Sequence, residues 1–137
     1  MTKPRRLAAT ALLLAAALPL AAQAQHREIG NDMSACQGGG PALRVIVNGL
    51  TEGTGRVRVQ SYRATSAEWM QKGKWLTRQE VSARRGAMTF CVPLPGPGSY
   101  GIAVRHDVNG NGKTDFMSDG GGVSNNPPIN IFNLGKP

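Results

Sequence analysis

Several short segments of this chain alternate apolar and polar residues with a period of two. The clearest segment covers residues 99–106, where Tyr100, Ile102 and Val104 fall on one face. Successive side chains of a strand point to opposite faces, so this alternation predicts strands that each bury one face. Residues 43–47, 57–62 and 87–92 repeat the pattern. With turn residues between them, about five or six short strands and little helix predict an all-β fold, a small antiparallel β-sandwich.

The intervening residues predict how these strands connect. A short Gly-rich stretch, residues 48–55, predicts that the strands on either side of it form an antiparallel hairpin. Thr65 and Glu68 have the spacing of a helix capping box and Gly73 can end a helix, so one short helix is expected from about residue 66 to 72. Residues 80–83 predict a weak strand, and the prolines of residues 93–98 predict a loop. After residue 108, only the run at residues 129–134 alternates again.

A long Asp/Asn/Gly loop follows the strand at residues 99–106. Counted from Asp107, oxygen-bearing side chains stand at positions 1, 3, 5 and 9, and glycine stands at position 6. This spacing is typical of the calcium loop of an EF-hand, in which a tightly curled chain supplies six to eight oxygen ligands. The residue at position 7 supplies only a backbone carbonyl, and Ser118 stands at position 12 in place of the usual glutamate. The candidate ligands for calcium are Asp107, Asn109, Asn111, Lys113, Asp115 and Asp119.

An alternative for the same loop is a metal-free structure held by hydrogen bonds. Asn-Gly pairs are strong turn signals because both residues tolerate positive φ. The missing glutamate predicts weak calcium binding, with Kd about 10⁻⁴–10⁻³ M, as in extracellular modules. No helix is expected before the loop, so calcium would order the loop and would not open a sensor.

The second half of the chain resembles a secreted bacterial family catalogued as domain of unknown function 2141. The resemblance is carried by residues 95–107 (PGPGSYGIAVRHD), 109–113 (NGNGK) and 122–126 (GVSNN). It implies a small β-sandwich of the transthyretin-like or carboxypeptidase-regulatory type, and it implies no biochemical role. Members of the family usually continue past a Gly-x-Pro such as residues 135–137 into one more strand. Either the sequence is truncated at this point, or the domain at residues 42–137 lacks its last strand.

The N-terminal residues predict export. Lys3, Arg5 and Arg6 precede an apolar stretch, and Ala22-Gln23-Ala24 provides a small-x-small cleavage site, so residues 1–24 are interpreted as a signal peptide. Residues 25–41 are expected to form an extended polar leader, held only at Cys36. In an oxidising compartment the two cysteines, Cys36 and Cys91, are expected to form a disulfide bond, although a lipidated Cys36 is an alternative.

The composition and charge of the chain limit the kinds of function that it can have. Cleavage of the signal lowers the Lys and Arg count from 16 to 13 against 8 Asp and Glu, a net charge near +5. The arginines alternate along strands or are scattered, which disfavours nucleic-acid binding. No transmembrane segment is expected after cleavage. We therefore expect a periplasmic or secreted binding or structural module without a catalytic residue, with a cell-envelope protein or glycan as partner. The alternative is a hydrolase or carbohydrate-acting accessory protein that uses His106 with Asp107 or Asp115, and the Trp69 and Trp75 pair.

Overall fold

The computed structural model describes residues 27–125, which form two β-sheets. The strands are β1 (Arg27–Ile29), β2 (Ala42–Leu50), β3 (Arg56–Arg63), β4 (Thr77–Ser82), β5 (Gly86–Pro93), β6 (Tyr100–Asp107) and β7 (Gly120–Val123). One sheet has the order β1-β4-β3-β6-β7, and the other pairs β2 with β5. The expected all-β fold, a small β-sandwich, is confirmed. The predicted signal peptide and the run at residues 129–134 lie outside the described residues.

The core forms where the alternating faces of the two sheets meet. From the larger sheet come Val57 and Val59, which have no exposed surface, together with Ile102. From the smaller sheet come Phe90 and Val92, also without exposed surface, and the partly buried Val45 and Val47 pack against this cluster. Burying one such side chain contributes about 1.5–3 kcal/mol, so the predicted faces account for much of the stability.

The predicted hairpin between the strands on either side of residues 48–55 is wrong. β2 pairs with β5, whereas β3 pairs with β4 and β6 in the other sheet. The Gly-rich connection therefore passes from one sheet to the other. Alternation shows which face of each strand is buried. It does not show whether two consecutive strands pair within one sheet or belong to two sheets that pack face to face.

The predicted helix at residues 66–72 is also wrong, because this segment is a series of turns. One helix-like bond joins the Trp69 N–H to the Thr65 carbonyl, but Met70 then takes a positive φ of 52° and stops the helical path. Gly73 does adopt the left-handed conformation, with φ 72°. The short helix of the described residues is instead a 3₁₀ helix, Met33–Cys36.

Residues 27–41, expected to be a leader held only at Cys36, are part of the sandwich. β1 pairs in parallel with β4. The side-chain amide of Asn31 donates to the Thr89 carbonyl and accepts from the Cys91 N–H, and so supplies hydrogen bonds to the edge of β5. The predicted disulfide between Cys36 and Cys91 is confirmed, with a Cα–Cα distance of 5.8 Å. In the chain-entropy view, a loop of this length adds about 4 kcal/mol of stability.

Three connections meet at one end of the sandwich, which we call the loop end: β2–β3, β4–β5 and β6–β7. Arg56, the first residue of β3, is opposite both Ser82 of β4 and Asp107 of β6. Gly55 has a φ of 73°, and a Cβ added there would lie 2.6 Å from the Val108 carbonyl oxygen. Only glycine allows the β2–β3 connection to approach the β6–β7 loop so closely.

Candidate functional site

The Asp/Asn loop, residues 107–119, connects the end of β6 to β7 at the loop end. Its two Asn-Gly pairs behave as turn formers, since Gly110 and Gly112 have φ values of 69° and 78°. The chain curls back so that the Gly110 N–H reaches the Asp107 carbonyl at 3.3 Å. The tight curl that the sequence predicted is present, and the side chains inside it determine what the loop can bind.

Asp107 is the buried centre of the loop. It belongs to the outer face of β6, yet only 2% of its surface is exposed because the loop folds over it. One carboxylate oxygen, Oδ1, accepts the Asn111 N–H at 3.1 Å, and Oδ2 accepts the Gly112 N–H at 2.7 Å. A buried carboxylate requires such donors, because an unpaired charge away from water is very costly.

Asn109, Asn111 and Asp115 converge on one point at the mouth of the loop. The side-chain amides of Asn109 and Asn111 donate to the same Asp115 oxygen, Oδ2, at 2.9 and 2.7 Å. These hydrogen bonds hold the pKa of Asp115 below its ordinary value of 3.8. Three of the predicted ligands are therefore brought together, with an ionised carboxylate among them.

Asp119 and Lys113 are placed differently. The Asp119 carboxylate accepts the Val108 N–H at 3.1 Å and the Asp115 N–H at 3.0 Å, and it thereby ties the two ends of the loop together. Lys113 contacts the loop through its backbone, whose N–H donates to Asn111 Oδ1 at 2.7 Å, while the residue as a whole is exposed. Asp119 thus has a structural role in the loop.

Arg105 is a further member of the site that the calcium pattern does not include. Its guanidinium donates to the Thr114 hydroxyl at 3.0 Å and to the Gly112 carbonyl at 3.2 Å, and it lies 3.5 Å from Asp107 Oδ2. The strand alternation contains the signal that could have identified it, because Arg105 and Asp107 are two residues apart and share a face of β6. The site therefore contains a cation of its own.

Among residues 27–125, no group of three or more His, Cys, Asp or Glu side chains is arranged to hold a metal ion. The loop instead offers Asp115, the amide groups of Asn109 and Asn111, and backbone carbonyls, which are the oxygen donors that calcium prefers. The calcium site stays a prediction.

His106 lies apart from Asp107, Asp115 and the two tryptophans, but it lines a cleft between the sheets together with Asp119 and Glu52. His106 points into the sandwich, 6% exposed, with Nε2 2.9 Å from the Thr54 carbonyl oxygen, whereas its neighbour Asp107 points to the other face. Trp69 is 7% exposed and packs edge-to-face on Tyr62 with ring centres 5.6 Å apart. Trp75 is half-buried and lies under the Arg78 guanidinium, 4.5 Å from the ring centre.

Neither the strand alternation nor the calcium spacing marks the apolar tip of the loop, Phe116 and Met117. These residues are 94% and 100% exposed, whereas the other exposed large apolar residues of the described chain are between 38% and 58% exposed. They are the two residues after Asp115, so the tip is next in sequence to one of the converging side chains.

No helix among residues 27–125 is long and apolar enough to cross a membrane.

Comparison with known proteins identifies the family of this chain and gives no information on its activity. Neither the curated proteins nor the solved structures gave a significant match. The bacterial family described as "Uncharacterized protein conserved in bacteria (DUF2141)" matches residues 45–137, more than half of the chain, and the protein belongs to that family.

Proposed function

We propose that this protein is an exported, non-enzymatic binding or structural module whose Asp/Asn loop binds calcium weakly. The observation that carries the proposal is the convergence of the Asn109 and Asn111 amides on Asp115 Oδ2, at 2.9 and 2.7 Å. Rotating each side-chain amide by half a turn about its Cβ–Cγ bond points its oxygen, instead of its NH₂ group, toward the Asp115 carboxylate. A calcium ion then lies between these oxygens, where the donated hydrogens were. Calcium would order the loop mouth, since the loop has little apolar surface to hold it.

Weak affinity follows from the groups that the ion must compete with. The Asn109 and Asn111 side-chain oxygens already accept backbone N–H groups, from Asn111 at 3.0 Å and from Lys113 at 2.7 Å. Rotating the amides breaks these bonds. Positive charge from Arg105 and Lys113 opposes a second cation, and Ser118 replaces the bidentate glutamate. A Kd of about 10⁻⁴–10⁻³ M is expected.

Export is supported by the disulfide bond between Cys36 and Cys91, because such bonds persist mainly in oxidising compartments. Together with the signal-peptide pattern of residues 1–24, it leads us to propose a periplasmic or secreted location. The partner we propose is a component of the cell envelope, a protein or a glycan. The competing hydrolase, which would use His106 with Asp107 or Asp115 and the two tryptophans, has less support. His106 and Asp107 point to opposite faces of β6, and the cleft that His106 lines includes Asp119 but neither Asp115 nor a tryptophan.

Thermal melting of the mature protein tests the calcium proposal. With Kd near 1 mM, about 10 mM calcium stabilises the folded state by about 1.4 kcal/mol relative to a chelator, because the ion binds only the folded loop. That corresponds to a rise in Tm of about 4 °C or more for a domain of this size. The same concentration of magnesium is the ion control, since magnesium demands a more rigid octahedral site.

Asp115→Asn is the informative variant, because its carboxylate accepts from side-chain amides and is not needed to close the backbone. It is expected to remove the calcium-dependent rise while leaving the melt in chelator close to that of the unmodified protein. Asp32→Asn, at an exposed carboxylate far from the loop, should keep the rise. Equal melting temperatures in calcium and chelator contradict the calcium proposal.

A further inference from the structure

An open cleft of about 760 Å³ lies between the two sheets, on the side where β2 and β7 form the sheet edges. It forms because two strands do not cover five, and because the residues of β7 that face the gap are glycines. Gly120 and Gly122 are opposite His106 and Val104, which belong to the inner face of β6. The volume is within the range of ligand-binding pockets in proteins, about 300–1,000 Å³.

The walls of the cleft are apolar. Val45 and Val47 of β2 and Val104 of β6 line it, pack against the core and are only partly buried. Leu43, which is 38% exposed, lines the end of the cleft away from the loop end. Covering apolar surface of this kind is favourable, so the walls suit a ligand with an apolar body.

His106 supplies a hydrogen-bond acceptor at the loop end of the cleft. Its Nε2 is 2.9 Å from the Thr54 carbonyl oxygen, which only accepts, so Nε2 carries the proton and Nδ1 of the neutral ring is an acceptor. Among residues 27–125, Nδ1 has no hydrogen-bond partner, and it is not one of the buried unpaired side-chain atoms, Gln79 Oε1 and Arg105 Nε. Although His106 is 6% exposed, Nδ1 is therefore accessible from the cleft.

Two carboxylates line the same end of the cleft as His106, those of Asp119 and Glu52. Both Asp119 oxygens accept backbone N–H groups, and each has a further acceptor position. Glu52 lies 3.5 Å from Arg85 in an exposed ion pair, which is a weak interaction. The arginine that lines the cleft, Arg44, is near the start of β2, at the opposite end. The loop end of the cleft therefore presents mainly acceptors.

Acceptors at one end of an apolar cleft are complementary to a donor group on an apolar body. We propose that the cleft binds a small amphipathic amine, with its alkyl part between β2 and β7 and its ammonium group at His106 and Asp119. An ammonium has three donors and no acceptor, so it matches the groups at this end. A carboxylate head group would instead be placed beside like charges, which is unfavourable. The site is separate from the mouth of the Asp/Asn loop, and it requires neither calcium nor export.

Titration of the ¹⁵N-labelled mature protein with octylamine, followed by NMR in chelator, tests the proposal. The largest chemical-shift changes are expected at the residues that line the cleft. Octylamine is expected to bind more tightly than octanol, and about tenfold or more tightly than octanoate, which has the same chain length and the opposite charge. The ring nitrogen signals of His106 should show the proton on Nε2, and the Nδ1 signal should move when octylamine binds.

Gly122→Leu is the informative variant, because its side chain enters the cleft from β7. A Cβ at Gly122 meets no atom of residues 27–125 within 4 Å, so the leucine fills the cleft without displacing the backbone. It should weaken octylamine binding about tenfold or more, since it occupies the volume that the alkyl part needs. Gly30→Leu is the matched control. Its Cβ also has open space, and it follows β1 at the other edge of the larger sheet, so this variant should bind as the unmodified protein does.

Equal binding of octylamine by Gly122→Leu and the unmodified protein overturns the proposal, as do shift changes that lie away from the cleft or equal affinity for octanoate. Occupation of the cleft by a second copy, or by residues 126–137 of the same chain, would leave octylamine unbound and overturns it as well. Because the titration is carried out in chelator, its outcome is independent of the calcium-dependent rise in Tm.

Discussion

Asp107→Asn should destabilise the protein strongly even where no calcium is present. Asp107 is 2% exposed and accepts the Asn111 and Gly112 N–H groups at 3.1 and 2.7 Å, with the Arg105 guanidinium 3.5 Å away. Asparagine can accept from one backbone N–H through its oxygen. Its NH₂ group then faces the other N–H and the guanidinium, which are also donors.

The magnitude follows from these lost contacts. A buried donor left without its acceptor costs about 1–3 kcal/mol, and hydrogen bonds to a charged group are at the upper end of that range. With the Arg105 charge also left uncompensated, a loss of about 2–4 kcal/mol is expected. For a domain of this size that lowers Tm by about 8–16 °C.

Thermal melting in chelator, followed by circular dichroism, measures this loss. Glu28→Gln is the matched control, because it makes the same carboxylate-to-amide change at an exposed position on β1 and should shift Tm by no more than a degree or two. If Asp107→Asn melts as the control does, the hydrogen bonds described for the loop do not hold it in solution. For the same reason, Asp107 is a poor position at which to test calcium, since its variants change the metal-free protein.

Two further predictions concern the larger sheet. Burial raises the pKa of Glu80, but the hydrogen bonds and charges of Arg58 and Arg56 together outweigh burial and hold the pKa below its ordinary value of 4.5. The stability that the ionised group contributes is therefore present above about pH 4.5 and is lost as the pH falls through the lower folded-state value. Glu80→Gln should be less stable than the unmodified protein at neutral pH and should lose less stability on acidification. Denaturant titrations between neutral pH and pH values below 4.5 measure this difference. If the stability of the variant and of the unmodified protein falls in parallel with pH, the prediction is refuted. Gly101→Ala should cost about 1–3 kcal/mol, because the added Cβ collides with the Trp69 ring, whereas Gly122→Ala has no atom within 4 Å of its new Cβ and should melt nearly unchanged.

Much of the strand pattern could be predicted because each strand buries one face. The alternation along β3, β5 and β6 predicts which side chains are buried in the core, and the structure places them there. The pairing of β2 with β5 could not be read in the same way. It depends on which strands are neighbours in each sheet. The sequence pattern of two half-buried strands joined by a Gly-rich stretch is the same whether the strands pair with each other or lie in different sheets.

β7 and the turns at residues 66–72 were missed for a different reason. Gly120, Gly121 and Gly122 have low strand propensity, yet β7 forms because it pairs with the edge of β6. In the predicted helix, the capping-box spacing is present, but Trp69 packs against Tyr62 and Gly101, and the chain turns at Met70. In both places, contacts between distant residues override local preference.

The Asp/Asn loop illustrates a limit of motif-based prediction, because one spacing serves two physical needs. A curled, glycine-rich loop has backbone N–H groups that require acceptors, and Asp or Asn side chains accept the N–H two residues further on. Asn109 and Asn111 do this here. An acidic, alternating pattern is therefore expected both of a loop that closes on itself and of one that closes on calcium. Asp107 and Asp119 bind backbone N–H groups and serve the first need, whereas the Asp115 carboxylate accepts only from the side chains of positions 3 and 5 among the hydrogen bonds described for it. The Asp115 carboxylate is therefore not explained by the hydrogen bonding of the loop backbone. Calcium binding would explain why a carboxylate stands at this position.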